Sequence, residues 1–103
     1  MNTIICDAIE KKTVLSFRYK GSLRLVEPQC YGISSAGNEV LRAVQVNEGV
    51  HRAVDTIGKL FDVSKMLALN ETGKHFTDPA PNHNPADKAM RVVYCCLPKK
   101  SRS

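Results

Sequence analysis

Between Val14 and Pro28 the chain carries a pattern that fits a β-hairpin. Leu15, Phe17 and Tyr19 alternate with Ser16, Arg18 and Lys20, the two-residue period of a half-buried strand. Gly21-Ser22 follows as a two-residue turn in which glycine supplies the positive φ. That turn predicts a register with Tyr19 opposite Arg24, Phe17 opposite Val26 and Leu15 opposite Pro28. The aromatic-rich face is then the buried one, and Arg24 lies at its rim beside the Tyr19 ring.

The segments around the hairpin are short. Ahead of it, Asn2 or Thr3 can cap a brief helix with Ile5, Ala8, Ile9 and Lys12 on one face, and such a helix is marginal unless that face packs on a sheet. After it, Pro28 is expected to bend the strand or end its ladder, and Cys30 to Ile33 to continue extended, with Gly32 marking a bulge. Ser34 to Asn38 is a turn leading into a strand over Glu39–Val46, where alternation does not decide which face is buried. Asn47-Glu48-Gly49 reads as a turn, and Val50 to Gly58 as either a short strand or an irregular connection. Lys59 to Val63 is a further strand, Ser64 to Leu69 a strand or one helical turn, and Asn70 to Lys74 a polar turn with Phe76 as an anchor. Three prolines and two asparagines between Thr77 and Pro85 exclude regular structure there. Asn84 as N-cap, Pro85 at the first helical position and Asp87 two residues on predict a helix start. Arg91 to Leu97 is a terminal strand stopped by Pro98.

With 103 residues and no internal boundary that leaves two foldable pieces, residues 1–98 are expected to form one domain and 99–103 a disordered basic tail. Short strands, one initial helix and closely spaced turns imply a mainly β fold, a small barrel or strongly curved sheet. No apolar run approaches the ~18 residues of a membrane span, and the Met1 end lacks a secretory pattern, so a cytoplasmic protein without membrane contact is expected.

The net charge of +5 includes Lys99, Lys100 and Arg102 of the tail, which leaves the rest mildly basic: favourable to anionic partners, but more commonly the mark of a solvated surface. Cys6, Cys30, Cys95 and Cys96 lack zinc-ribbon or redox-motif spacing. Without an export signal they are expected to be four free thiols in small apolar spaces. Cys95 and Cys96, adjacent on a strand, point to opposite faces, so one packs while its neighbour is open to solvent. His51, His75 and His83 follow no metal-ligand spacing, so no metal and no cofactor is expected.

Taken together, a short helix, Phe17-Arg18-Tyr19-Lys20-Gly21, Arg24-Leu25-Val26-Glu27-Pro28 and Gly37-Asn38-Glu39-Val40-Leu41-Arg42-Ala43 resemble the WYL (Trp-Tyr-Leu) domain family. Lys59-Leu60-Phe61-Asp62-Val63-Ser64-Lys65-Met66, Gly73, Phe76 and Asn84 to Met90 extend the likeness to its short stand-alone members, over most of residues 4–97. The signature triplet stands here as Glu39-Val40-Leu41, without its two aromatics, and Lys65-Met66 replaces a commoner arginine and isoleucine. The resemblance implies an Sm-like small β-barrel with an N-terminal α-helix and a C-terminal strand. It also implies a regulatory module of bacterial transcription or defence proteins that senses a ligand, often single-stranded nucleic acid or a nucleotide.

Binding a single strand requires cations along the phosphates and aromatic faces for the bases. Arg18, Lys20, Arg24, Arg42, Lys59 and Lys65 supply the first, Tyr19 or Tyr31 the second. Arg42 and Lys65 match basic positions of the family pattern, and with Arg24, Tyr19 and Lys59 they make up the candidate ligand site. Packing offers each a competing role: Tyr19 as core, Arg24 as a cover for its ring, Arg18 and Lys20 as a solvated strand face. No phosphate loop, nucleophile elbow or metalloprotease motif is present, so a non-enzymatic module is expected. The alternative is a protein-interaction or homodimerisation module using a barrel edge or the Val40-Leu41 region.

Overall fold

The computed structural model describes residues 1–46 and 58–98; the Asn47-Glu48-Gly49 turn, the ambiguous segment from Val50 and the basic tail from Lys99 lie outside the described residues. One helix, α1 (Thr3–Lys11), precedes six strands: β1 (Thr13–Tyr19), β2 (Ser22–Ser34), β3 (Glu39–Gln45), β4 (Lys59–Asp62), β5 (Leu67–His75) and β6 (Met90–Cys96). All pairings are antiparallel. The sheet path runs β4-β3-β2-β1-β5, with β6 added to β2. Among the described residues β4 and β5 do not pair, so the sheet curls without closing into a barrel.

Helix α1 forms as its sequence predicts. The Asn2 carboxamide oxygen accepts from the Ile4 and Ile5 amides, and Lys12 closes the C-terminal end in a left-handed conformation, φ 56°. Ile5, Ala8 and Ile9 are buried in a core with Leu15, Phe17, Val26, Tyr31, Leu41 and Phe61. Leu41 and Ala43 settle the facing of β3 by entering this core, while Val40 turns to a smaller cluster with Cys30 and Met90. Val40 and Leu41 are thus buried and cannot serve as the docking surface considered for that strand.

The hairpin is present in a different register. Tyr19 pairs with Ser22, Phe17 with Arg24 and Leu15 with Val26, so Lys20 and Gly21 are the central turn residues. Both have positive φ, 51° and 79°, as a type I′ turn requires and as the right-handed twist of the strands favours. The shift is two residues, one full period of the pleat, so the same side chains are buried as in the predicted register. Pro28 does not end the ladder: β2 runs on through it, opposite Ala43, with an irregularity before Cys30.

Three further expectations are corrected. Asn70 to Lys74 belong to β5, not to a turn. This strand lies at the edge of the sheet path and is almost wholly exposed, so backbone pairing with β1 holds it without apolar alternation. A one-turn 3-10 helix over Val63–Lys65 precedes it. No helix starts at Asn84. The Asn84 and Asp87 side chains accept from the Ala86 and Ala89 amides, 3.0 and 2.9 Å away, which makes two local turns in place of a helical cap. The cysteines are not free: Cys6 bonds to Cys95 and Cys30 to Cys96. Cys95 and Cys96 do face opposite sides, and each side supplies a partner, α1 on one and β2 on the other. The bonds span 89 and 66 residues, so no local spacing announces them. No helix among the described residues is long and apolar enough to cross a membrane.

Candidate functional site

The expected site residues fall into two groups. The first surrounds the hairpin turn. The Tyr19 ring is buried in an edge-to-face triangle with Phe17 and Phe61, centroids 6.0 and 5.1 Å away, and its hydroxyl accepts from the Asp62 amide at 3.1 Å. This ring is core, with no face open for a base. It holds cations instead: Lys20 Nζ lies 5.7 Å and Arg24 Cζ 5.8 Å from its centroid. Arg24 also donates through Nη1 to Gln45 Oε1 at 3.0 Å, while its buried Nε has no hydrogen-bond partner among the described residues. The Ser64 hydroxyl and amide bond the Asp62 carboxylate, and nearby Lys65 adds its charge; against slight desolvation, these hold that carboxyl below its usual range. The Tyr19 hydroxyl therefore links the exposed Lys20 and half-buried Arg24 to the turn bearing exposed Lys65. Lys59 is exposed on β4 opposite Ala43.

Arg42 stands apart from this group. Its Nε and Nη2 donate to Asp87 Oδ2 and Oδ1 at 2.9 and 3.2 Å, and its Nη1 to the Gly58 carbonyl at 3.2 Å. Burial by itself would raise the Asp87 pKa; the Arg42 hydrogen bonds, the Ala89 amide and the charges of Arg42 and His83 outweigh it and hold the carboxyl below its ordinary range. The guanidinium, fully engaged, staples the 77–89 loop to β3.

Sequence reasoning missed what that loop carries. Gln29, wholly buried, accepts from the Ala80 amide through Oε1 at 2.8 Å and donates through Nε2 to the Glu27 carbonyl at 3.0 Å. With Ala80 fixed, His83 donates its amide to the Ala80 carbonyl, 2.9 Å away, and its ring is buried against the end of β6. His83 Nε2 is 2.6 Å from the Leu97 carbonyl and 3.8 Å from Cys96 Sγ. A pocket of about 280 Å³ opens beside it, lined by Arg42, Asn82, His83, Asn84, Asp87, Lys88 and Ala89. The one legible signal was the density of Asn, Asp and Pro around His83, which fixes a loop but not what it faces.

Tyr31 completes the polar interior. Its hydroxyl donates to Glu39 Oε2 and accepts from the Asn2 amide at 2.6 Å. Burial and the Glu39 contact push its pKa up to about 12, so Tyr31 is a neutral structural phenol linking β2, β3 and the helix start.

Comparison of the chain with protein-family models, with curated proteins and with solved structures found no match.

Proposed function

We propose that this chain is a non-enzymatic module that recognises a single-stranded nucleic acid or a nucleotide-like anion, contacted chiefly through its phosphates. The observation that carries this reading is the pair of cations over one buried ring, Lys20 and Arg24 on Tyr19, with Arg24 Nε without a partner among the described residues. A buried guanidinium nitrogen without an acceptor favours an anion that supplies one. Lys65, and Lys59 on the preceding strand, extend the positive surface. The order of helix, hairpin and strand, and the likeness to WYL domains, agree with this reading and with an Sm-like arrangement of the curled sheet. Because Arg42 is committed to Asp87, its role in this scheme is to hold the loop.

Titration of a labelled single-stranded oligonucleotide at several salt concentrations tests it. Each lost phosphate contact lowers the slope of log affinity against log salt by about 0.7, so Arg24→Ala and Lys65→Ala are expected to weaken binding and flatten that slope. Absence of binding at low salt overturns the proposal. A protein-interaction reading is favoured by Val92, Val93 and Tyr94, adjacent on β6 and 39 to 44% exposed. It requires a salt-tolerant complex or homodimer that Val92→Asp disrupts.

A further inference from the structure

Cys30, Cys96 and His83 converge from β2, β6 and the 77–89 loop, one donor atom from each lying within 4.8 Å of the others. Cys30 and His83 are buried and Cys96 is half-buried. Two sulfurs and an imidazole form a donor set suited to a thiophilic divalent ion. In a tetrahedral site with Zn–S about 2.3 Å and Zn–N about 2.0 Å, neighbouring sulfur and nitrogen ligands stand about 3.5 Å apart; Cys96 Sγ and His83 Nε2 are 3.8 Å apart. Cys30 and Cys96 are direct cross-strand partners, so their side chains share one face of the sheet whether or not they are bonded to each other. The loop is held independently, by Gln29 to Ala80 and by Arg42 to Asp87, so His83 stays in place when the Cys30–Cys96 bond opens.

We propose that the reduced chain binds one zinc ion through the Cys30 and Cys96 thiolates and His83 Nε2, and that the Cys30–Cys96 disulfide is the metal-free state of the same site. The interconversion balances with a dithiol as reductant. Its two thiols give two electrons and two protons, it becomes a disulfide, and Cys30 and Cys96 become thiols. Zinc then displaces one proton from each thiol. The His83 ring, whose Nε2 faces the Leu97 carbonyl at 2.6 Å, changes tautomer: its single proton moves through solvent from Nε2 to Nδ1, Nε2 turns its lone pair to the ion, and the ring stays neutral. Three protein donors leave the fourth position to water, as in exchangeable sites rather than closed structural ones. Cys6–Cys95, on the opposite face of β6 and with no histidine beside it among the described residues, takes no part.

The test uses the full chain, reduced with a phosphine that is then removed without air, and Co²⁺ as the spectroscopic probe. One Co²⁺ per chain is expected, with near-ultraviolet thiolate-to-cobalt absorption displaced by Zn²⁺, and none in the oxidised chain. Cys30→Ser and Cys96→Ser should each reduce that absorption. His83→Ala should weaken binding by at least about tenfold, and the double variant Cys6→Ser, Cys95→Ser should leave it unchanged. In the unmutated reduced chain Zn²⁺ should protect Cys30 and Cys96, but not Cys6 and Cys95, from alkylation mapped by mass, a readout independent of any variant's folding. Absence of the thiolate band, equal binding by the oxidised chain, or protection centred on Cys6 and Cys95 overturns the proposal.

Discussion

Two side chains carry much of the polar cohesion of the fold, and each predicts a pH dependence of known sign. The Arg42–Asp87 contact is a two-pronged ion pair with both side chains largely buried, 16% and 11% exposed. Loss of such a pair leaves the remaining charge poorly solvated, at a cost of about 1–3 kcal/mol. Asp87→Asn is therefore expected to lower the urea midpoint at neutral pH. Because the folded pKa of Asp87 is depressed, its contribution is complete above the unfolded value near ~4 and disappears as pH falls through the folded one. The gap between wild type and Asp87→Asn should accordingly narrow in acid. Tyr31 behaves in the opposite sense. With a folded pKa raised to about 12, its contribution is complete below the unfolded value near ~10 and is lost as pH rises through the folded one. Ultraviolet titration of the phenols should show a late step near pH 12 that Tyr31→Phe removes while the other phenol steps persist.

Between elements, close backbone approach rather than side-chain chemistry sets the tolerances. At Gly32 a Cβ would run into the Val92 carbonyl across the β2–β6 pairing. Gly32→Ala is expected to push β6 outward and cost about 1–3 kcal/mol as overpacking, read as a lower thermal midpoint and faster amide exchange in Met90–Cys96. In the hairpin the test is milder: Lys20→Asn suits the left-handed turn position better than lysine does, and should raise the midpoint slightly without altering the core. Legibility in the sequence divides along the same lines. The alternation in β1 and the Asn2 cap are local patterns, and a linear reading recovers them; the facing of β3 is not legible in this way, because Val40 and Val44 are buried as well as Leu41 and Ala43. The hairpin register slipped because Lys20, a residue that seldom adopts positive φ, shares the turn with Gly21. The continuation of β5 through Asn70 to Lys74 reads as a turn in sequence because an edge strand paired through its backbone needs no apolar alternation. The helix forecast at Asn84 failed because its capping residues are occupied locally and, for Asp87, by an arginine 45 positions away.

At the scale of the molecule, the curled sheet brings β6 back across β2 and under α1, and this closure, invisible to local pattern, places both cysteine pairs and His83. It also ties the chain's ends together: Cys6 to Cys95 spans 89 residues and Cys30 to Cys96 spans 66. In the chain-entropy account a loop of this size stabilises by roughly 4–5 kcal/mol if closed alone. The two loops interleave and share residues 30–95, so the second closes a chain already shortened by the first, and the pair together contributes less than twice that amount. Reduction of both bonds without metal is therefore expected to cost several times what any single substitution above costs, and to flatten the difference between the two single-disulfide variants. The measurement is chemical denaturation of four forms: oxidised, Cys6→Ser with Cys95→Ser, Cys30→Ser with Cys96→Ser, and fully reduced. If the cross-links act on the unfolded chain, the two single losses sum to less than the double loss. Losses that sum to the double loss or exceed it would instead place the stabilisation in native contacts around each sulfur pair.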